Sequence, residues 1–284
     1  MTPARWVLLA TVLLAGVPAQ AAPASIRITI PRDVVAQGEA LDVTVVIHGG
    51  AERAQLRFAG RTFRLYPAGR GVWRTIVGTD PITAPGAHAI VVEAASPQGA
   101  WVSGRVPVRV RKVTFPTRRL AFDPERRALL RPEVAARERE RVNAALRVLH
   151  PSPLWDGPFA RPVEAPVSSP YGVLSIYHGQ VRGFHTGTDF AAPEGTPVYA
   201  AAAGIVRLAE ELPLSGRAVL VDHGLGIITS YLHLSSITAQ VGQRVRRGDL
   251  VGHVGSTGLA TGPHLHWGMR ANGVRVDPMP WIAP

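Results

Sequence analysis

Ser25-Ile26-Arg27-Ile28-Thr29-Ile30, followed by Leu41-Asp42-Val43-Thr44-Val45-Val46-Ile47, sets isoleucine, leucine and valine at every second position. A period of two is that of a strand with one buried and one wetted face. The same signal continues along the chain. Leu56 and Phe58 face Phe63 and Leu65 across Ala59-Gly60-Arg61, which reads as a hairpin, and Val72 to Val77, Ala89 to Glu93 and the alternating Val106, Val108 and Val110 follow. Pro31-Arg32-Asp33, Gly49-Gly50 and Pro97-Gln98-Gly99 supply turns between them. Six or seven short strands in about ninety residues predict a small, immunoglobulin-like β-sandwich over residues 22–112. His48 and His88 are isolated within it and read as surface or structural residues.

Upstream, Arg5, the apolar run Trp6 to Val17 and Ala19-Gln20-Ala21 have the three parts of a cleavable export signal, residues 1–21. The run is shorter than the roughly 18 residues a membrane-crossing helix requires, and no later segment is long and apolar enough. The expectation is an exported protein of the periplasm or cell envelope, or a secreted one, with no stable membrane span once the signal is removed.

The formal charge of +11 is almost wholly arginine, Lys112 being the only lysine. Nucleic acid is one partner for such a surface, but no recognisable nucleic-acid-binding motif is present and an exported protein seldom meets any. An anionic envelope suits it better. The absence of cysteine excludes disulfides, thiolate metal sites and a cysteine nucleophile, so that His, Asp and Glu are the strong metal ligands left.

Residues 113–165 differ in character. Asp123-Pro124 is a helix N-cap followed by proline at the first helical position. A second helix is expected from Pro132 to about Leu149, with Val142, Ala145, Leu146 and Leu149 as its apolar stripe and the arginines and glutamates around Arg137 to Arg141 in solvent. Pro151, Pro153, Pro158, Pro162 and Pro166 then make a stiff linker. From residue 166 to 284, short apolar runs again alternate with glycine turns, as in Pro197 to Ala200, Ala218 to Val221, Ile227 to Leu232, Leu250 to Val254 and Leu265 to Met269. A second, small, mostly antiparallel β-domain follows, and most of the histidines fall in it.

Three segments there carry chemistry. In Pro263-His264-Leu265-His266-Trp267, a strand would point both imidazoles to one side, where one could bind a metal and the other address its water. Gly183-Phe184-His185-Thr186-Gly187-Thr188-Asp189 offers an imidazole and a carboxylate four positions apart. Tyr231-Leu232-His233-Leu234 places a third imidazole in an apolar run, which alone would read as a core histidine. Hydrolytic zinc sites take three such ligands and leave a fourth corner to water.

Together these segments resemble the lysostaphin/LytM-type zinc endopeptidases of family M23. The likeness runs from about Ser168 to Trp281 and includes, in order, His185 to Asp189, Ala192 to Val198, His223-Gly224, Tyr231 to Ser235, Gly255-Ser256-Thr257-Gly258, Thr261 to His266 and Val276-Asp277-Pro278. The resemblance implies that His185, Asp189 and His266 hold one Zn2+ and that His233 and His264 are the catalytic pair. It further implies that the substrate is the peptide cross-link of bacterial peptidoglycan. The competing reading is a non-catalytic LytM-like module that binds or activates another wall hydrolase; such relatives typically lack a ligand, and this chain lacks none. One departure concerns substrate preference: Tyr171-Gly172-Val173-Leu174-Ser175 stands where family members often carry Phe-Gly and an arginine.

Overall fold

The computed structural model describes residues 7–9, 25–49, 51, 53–95, 101–121, 123–177 and 179–282. Most of the expected export signal lies outside them, as does His178; Val7–Leu9 are described, as a strand antiparallel to Ser25–Thr29. Among the described residues no helix is long and apolar enough to cross a membrane. The chain is mainly β and forms two compact units: residues up to Val113 with Ala271–Val274, and Thr114–Arg270 with the residues from Arg275 onward.

In the first unit, one sheet runs Val7–Leu9, Ser25–Thr29, Ala40–His48, Val72–Gly78, Tyr66–Gly69. The other runs Val34–Ala36, Trp101–Arg111, Gly86–Ala95, Arg53–Phe58, Arg61–Phe63. The alternation seen in the sequence is the burial pattern: Ile26, Ile28, Leu41, Val43, Val45 and Ile47 are buried from one sheet, and Ile90, Val92, Val106, Val108 and Val110 from the other. The hairpin is tighter than expected. Phe58 pairs with Arg61, so the turn is Ala59-Gly60 alone, with φ of 48° and 75°. Positive φ at both positions matches the twist of the flanking strands. His88 is structural as expected, its Nε2 2.7 Å from the Ala84 carbonyl and its ring edge-on to Phe58.

In the second unit the main sheet runs Val167–Ser169, Gly187–Phe190, Leu265–Ala271, Ile227–Leu234, Gly216–Gly224, Gly204–Leu212, Arg244–Val245. Two three-stranded sheets accompany it: Thr117–Leu120, Leu174–Tyr177, Gln180–Phe184, and Pro197–Tyr199, Leu250–His253, Ser236–Ile237. Much of the segment read as linker is therefore built into this unit. Thr117–Leu120 pairs in parallel with Leu174–Tyr177, and Asp123 caps the helix Pro124–Ala128 by accepting from the Arg126 amide at 2.8 Å.

The helix Pro132–Ala145 ends a turn earlier than its apolar stripe suggests, because Leu146 leaves helical geometry at φ −101°, ψ 14°. The chain then bends so that the His150 amide can donate to the buried Asp222 carboxylate at 2.8 Å. Val142 is buried with Leu208, Leu212, Ala218, Leu220 and Ile228, and Ala145, Leu146 and Leu149 pack against them. Burying one aliphatic side chain of this size is worth about 1.5–3 kcal/mol, enough to dock a short amphipathic helix. One expectation fails. Glu138, placed in solvent by the charged run around it, is buried, one turn before Val142 on the same face.

His223 is fully buried against the Phe159 ring, its Nδ1 donating to the Ala203 carbonyl at 2.8 Å and its Nε2 accepting from Thr229 Oγ1 at 2.8 Å. Burial pushes its pKa down to about 4, against the hydrogen bond to Ala203 and the nearby Asp222, which favour the charged form. The folded state thus binds this proton less readily than the unfolded chain. Its stability is intact above the ordinary histidine pKa of about 6.5 and falls as the pH drops from there toward 4. In urea unfolding between those pH values, His223→Gln should lose about 3 kcal/mol less than the unsubstituted protein; parallel pH curves for the two would contradict the assignment.

Candidate metal centre

Asp189 and His266 are direct partners across the antiparallel pair Gly187–Phe190 and Leu265–Ala271. That register alone brings carboxylate and imidazole to one spot on one face of the sheet. Asp189 Oδ1 stands 2.8 Å from His266 Nδ1. His185, just before the first strand, reaches the same spot, its Nε2 2.9 Å from Asp189 Oδ1 and 3.0 Å from His266 Nδ1. The backbone of His185 is pinned on both sides, its amide to the Val173 carbonyl at 2.8 Å and its carbonyl to the Gly172 amide at 2.9 Å.

Close approach of the two strands depends on Gly187. A Cβ there would lie 2.5 Å from the Trp267 carbonyl oxygen and 2.7 Å from His266 Nε2. The glycine serves strand contact, rather than the backbone bend its place between His185 and Asp189 suggests.

The chemistry of the donors fits a cation. His185 Nδ1 lies 2.8 Å from the Pro170 carbonyl, which can only accept, so the ring proton sits there and Nε2 keeps its lone pair. That lone pair faces a carboxylate oxygen and another imidazole nitrogen in a buried position. The His185 lone pair has no proton to offer either neighbour, and a divalent ion shared among the three would satisfy all of them. Their separations are close to the edge of about 3.3 Å expected for donors at tetrahedral corners around zinc. Burial by itself would raise the Asp189 carboxyl, but the two imidazoles set against its Oδ1 favour the ionised form and hold it well below the usual carboxylate range. Burial lowers His266 to about 4 despite the opposing pull of Asp189, which keeps the ring neutral and able to ligate.

Two further imidazoles adjoin the three. His264 Nε2 is 3.9 Å from Asp189 Oδ1, and its Nδ1 donates to the Gly262 carbonyl at 2.8 Å. His233 stacks obliquely on His264 with ring centroids 4.9 Å apart, and its Nδ1 donates to the Thr257 carbonyl at 2.8 Å. Burial, then repulsion from His264 and His266, lowers His233 to about 3. His233 also has φ of 64°, a left-handed conformation that costs a non-glycine residue on the order of 1–2 kcal/mol. All five residues singled out in the sequence thus converge. His253 does not join them; it lies 2.8 Å from Ser236 Oγ at the surface.

No motif in the sequence marks the supporting groups. Arg118 donates through Nη1 to Ser169 Oγ at 2.8 Å and through Nε to Ser175 Oγ at 3.1 Å, with Nη1 3.5 Å from Asp189 Oδ2. Backbone carbonyls of Pro170, Thr257 and Gly262 orient three imidazoles, and a carbonyl carries no sequence signature.

The model of peptidase family M23 matches residues 183–278, a span that contains all five. A solved structure from Pseudomonas aeruginosa, described as a peptidase M23, is 31% identical, covering 87% of this chain and 94% of that one with a TM-score of 0.61. The chain belongs to peptidase family M23. Its likeness to that M23 structure extends well beyond the residues the family model matches. Among curated relatives, DD-carboxypeptidase/endopeptidase Mpg of Neisseria meningitidis is 42% identical over 42% of this chain and 27% of its own length. Peptidoglycan DD-endopeptidase ShyA of Vibrio cholerae is 46% identical over 34% of this chain and 22% of its own. The chain spans about a quarter of the length of these curated relatives.

Gly187→Ala should force Leu265–Ala271 away from Asp189. The expected result is a loss of about 1–3 kcal/mol in stability together with a clear drop in bound metal, read by thermal melting and by metal analysis of the purified protein. Unchanged melting and full metal content would show that the two strands do not need this approach.

Proposed function

We propose that this M23 peptidase is an exported zinc endopeptidase that hydrolyses peptide cross-links of bacterial peptidoglycan. The observation that carries the proposal is the meeting of His185, Asp189 and His266 beside two imidazoles whose Nδ1 protons are committed to backbone carbonyls. The names of Mpg and ShyA support the substrate class, and the N-terminal signal pattern supports export. His185, Asp189 and His266 would hold the ion. When bound, zinc supplies a water of pKa about 7 and polarises the scissile carbonyl.

The rest of the chemistry belongs to the chain. With Nδ1 fixed as a donor, Nε2 of His264 and of His233 each present a lone pair. His264, the nearer to Asp189, takes the proton from the attacking water and returns it to the leaving amine. His233, kept neutral at neutral pH by its burial, accepts from the attacking water through Nε2 and orients it, and the proton held on His264 Nε2 hydrogen-bonds the developing oxyanion before it passes to the leaving amine. Asp189 orients His185 and His266 and balances charge at the centre.

Treatment with a chelator should abolish cleavage of purified sacculi, and added Zn2+ should restore it. His264→Ala and His233→Ala should each lower turnover by about 10²–10⁴-fold with zinc content retained. Cleavage indifferent to the chelator would sink the proposal. An intact zinc site with no hydrolysis, joined to stimulation of a separate wall amidase, would favour the non-catalytic module.

A further inference from the structure

Glu138 lies on the helix Pro132–Ala145, outside the span that the family model matches. Its carboxylate is buried and makes three hydrogen bonds to a single turn. Oε2 accepts from the Leu214 amide at 2.6 Å and the Ser215 amide at 3.3 Å, and Oε1 accepts from Ser215 Oγ at 2.6 Å. A carboxylate with so many donors fixes the path of the backbone it caps. Val142, one turn further along the helix, anchors it in the apolar cluster on the sheet, and Arg141 pairs with Glu210 at 2.7 Å.

The capped turn holds His233 by two routes. The Ser215 carbonyl accepts from the His233 amide at 2.9 Å, across the left-handed residue itself. The Leu214 carbonyl accepts from the Leu259 amide at 2.9 Å, and Thr257, just before Gly258 and Leu259, supplies the carbonyl that takes the His233 ring proton. The turn and that loop are in close contact: a Cβ on Gly258 would lie 2.6 Å from the Leu214 carbonyl oxygen. Backbone and ring of His233 therefore both rest on the geometry of residues 214–216.

We infer that Glu138 is a positioning residue for the His233 imidazole, acting through Leu214 and Ser215, so that the peptidase site depends on a helix that precedes its motifs. The inference rests on the reading of His233 as a catalytic group. The experiment uses the full chain with zinc bound and a cross-linked muropeptide dimer as substrate. Glu138→Ala should lower kcat by more than about tenfold, as expected for small misplacement of a catalytic group, with KM and zinc content unchanged. Glu138→Gln keeps an acceptor for the amides and a donor for Ser215 Oγ, and should restore most of kcat. In a His233→Ala background, Glu138→Ala should cost almost nothing more.

Should Glu138→Ala fail to fold, Ser215→Ala removes one of the three bonds and should still lower kcat measurably at constant KM. Full kcat in Ser215→Ala and in whichever Glu138 variants fold would overturn the inference, as would an equal loss with and without His233. So would loss of zinc in Glu138→Ala. Full turnover by His233→Ala would instead overturn the catalytic reading of His233, a result separate from an inactive His233→Ala beside a fully active Glu138→Ala.

Discussion

Everything at the centre of this protein depends on one cross-strand pairing. Asp189 opposite His266 sets a carboxylate oxygen 2.8 Å from an imidazole nitrogen, and because side chains alternate along a strand, a slip of either strand by one residue would put the two on opposite faces. Such a register needs firm enforcement. Trp267, on the other face of the same strand, is fully buried, as is Phe190 at the end of its partner. Hydrophobic burial on one face thus fixes polar geometry on the other. The requirement for glycine at position 187, where any side chain would meet the facing backbone, is part of the same constraint.

Once the candidate ligands meet, the fold solves a tautomer problem three times by one device. Carbonyls of Pro170, Gly262 and Thr257 take the Nδ1 protons of His185, His264 and His233. Each leaves the Nε2 lone pair free for other partners. Backbone acceptors suit this task because they are held by chain geometry and do not titrate. The cost appears at His233, which sits at positive φ and must be held there by its surroundings; the turn at Leu214 and Ser215, capped from Glu138, is what holds it.

How much of this can be read from sequence follows from how local each signal is. Period-two alternation is local, and Ile26 to Ile30 and Leu41 to Ile47 have the expected faces buried. The five candidate site residues are legible through the ordered series of motifs that resembles family M23; taken singly, the His264 and His266 pair, His185 with Asp189, and His233 are each weak signals. The burial of Glu138 is not legible, although the spacing from Val142 to Ala145 and Leu149 extends back to it at helical period. Its arginine-rich neighbourhood describes a solvated face. Only the tertiary placement of the turn at Leu214 and Ser215 makes burial of a carboxylate favourable. The helix end escapes for a similar reason: the apolar stripe continues to Leu149 as packing, while the backbone leaves helical geometry at Leu146. The role of Arg118, which approaches Asp189 from a strand paired only at the tertiary level, has no local signal at all.

X-ray absorption at the zinc edge on the purified, metal-loaded protein tests the account most directly. One Zn2+ per chain with two imidazole nitrogens and carboxylate oxygen at about 2.0–2.2 Å, losing an imidazole in His185→Ala and in His266→Ala alike, is the result predicted. A spectrum that neither substitution changes would mean that these side chains do not share an ion, and the hydrolytic mechanism built on them would fall.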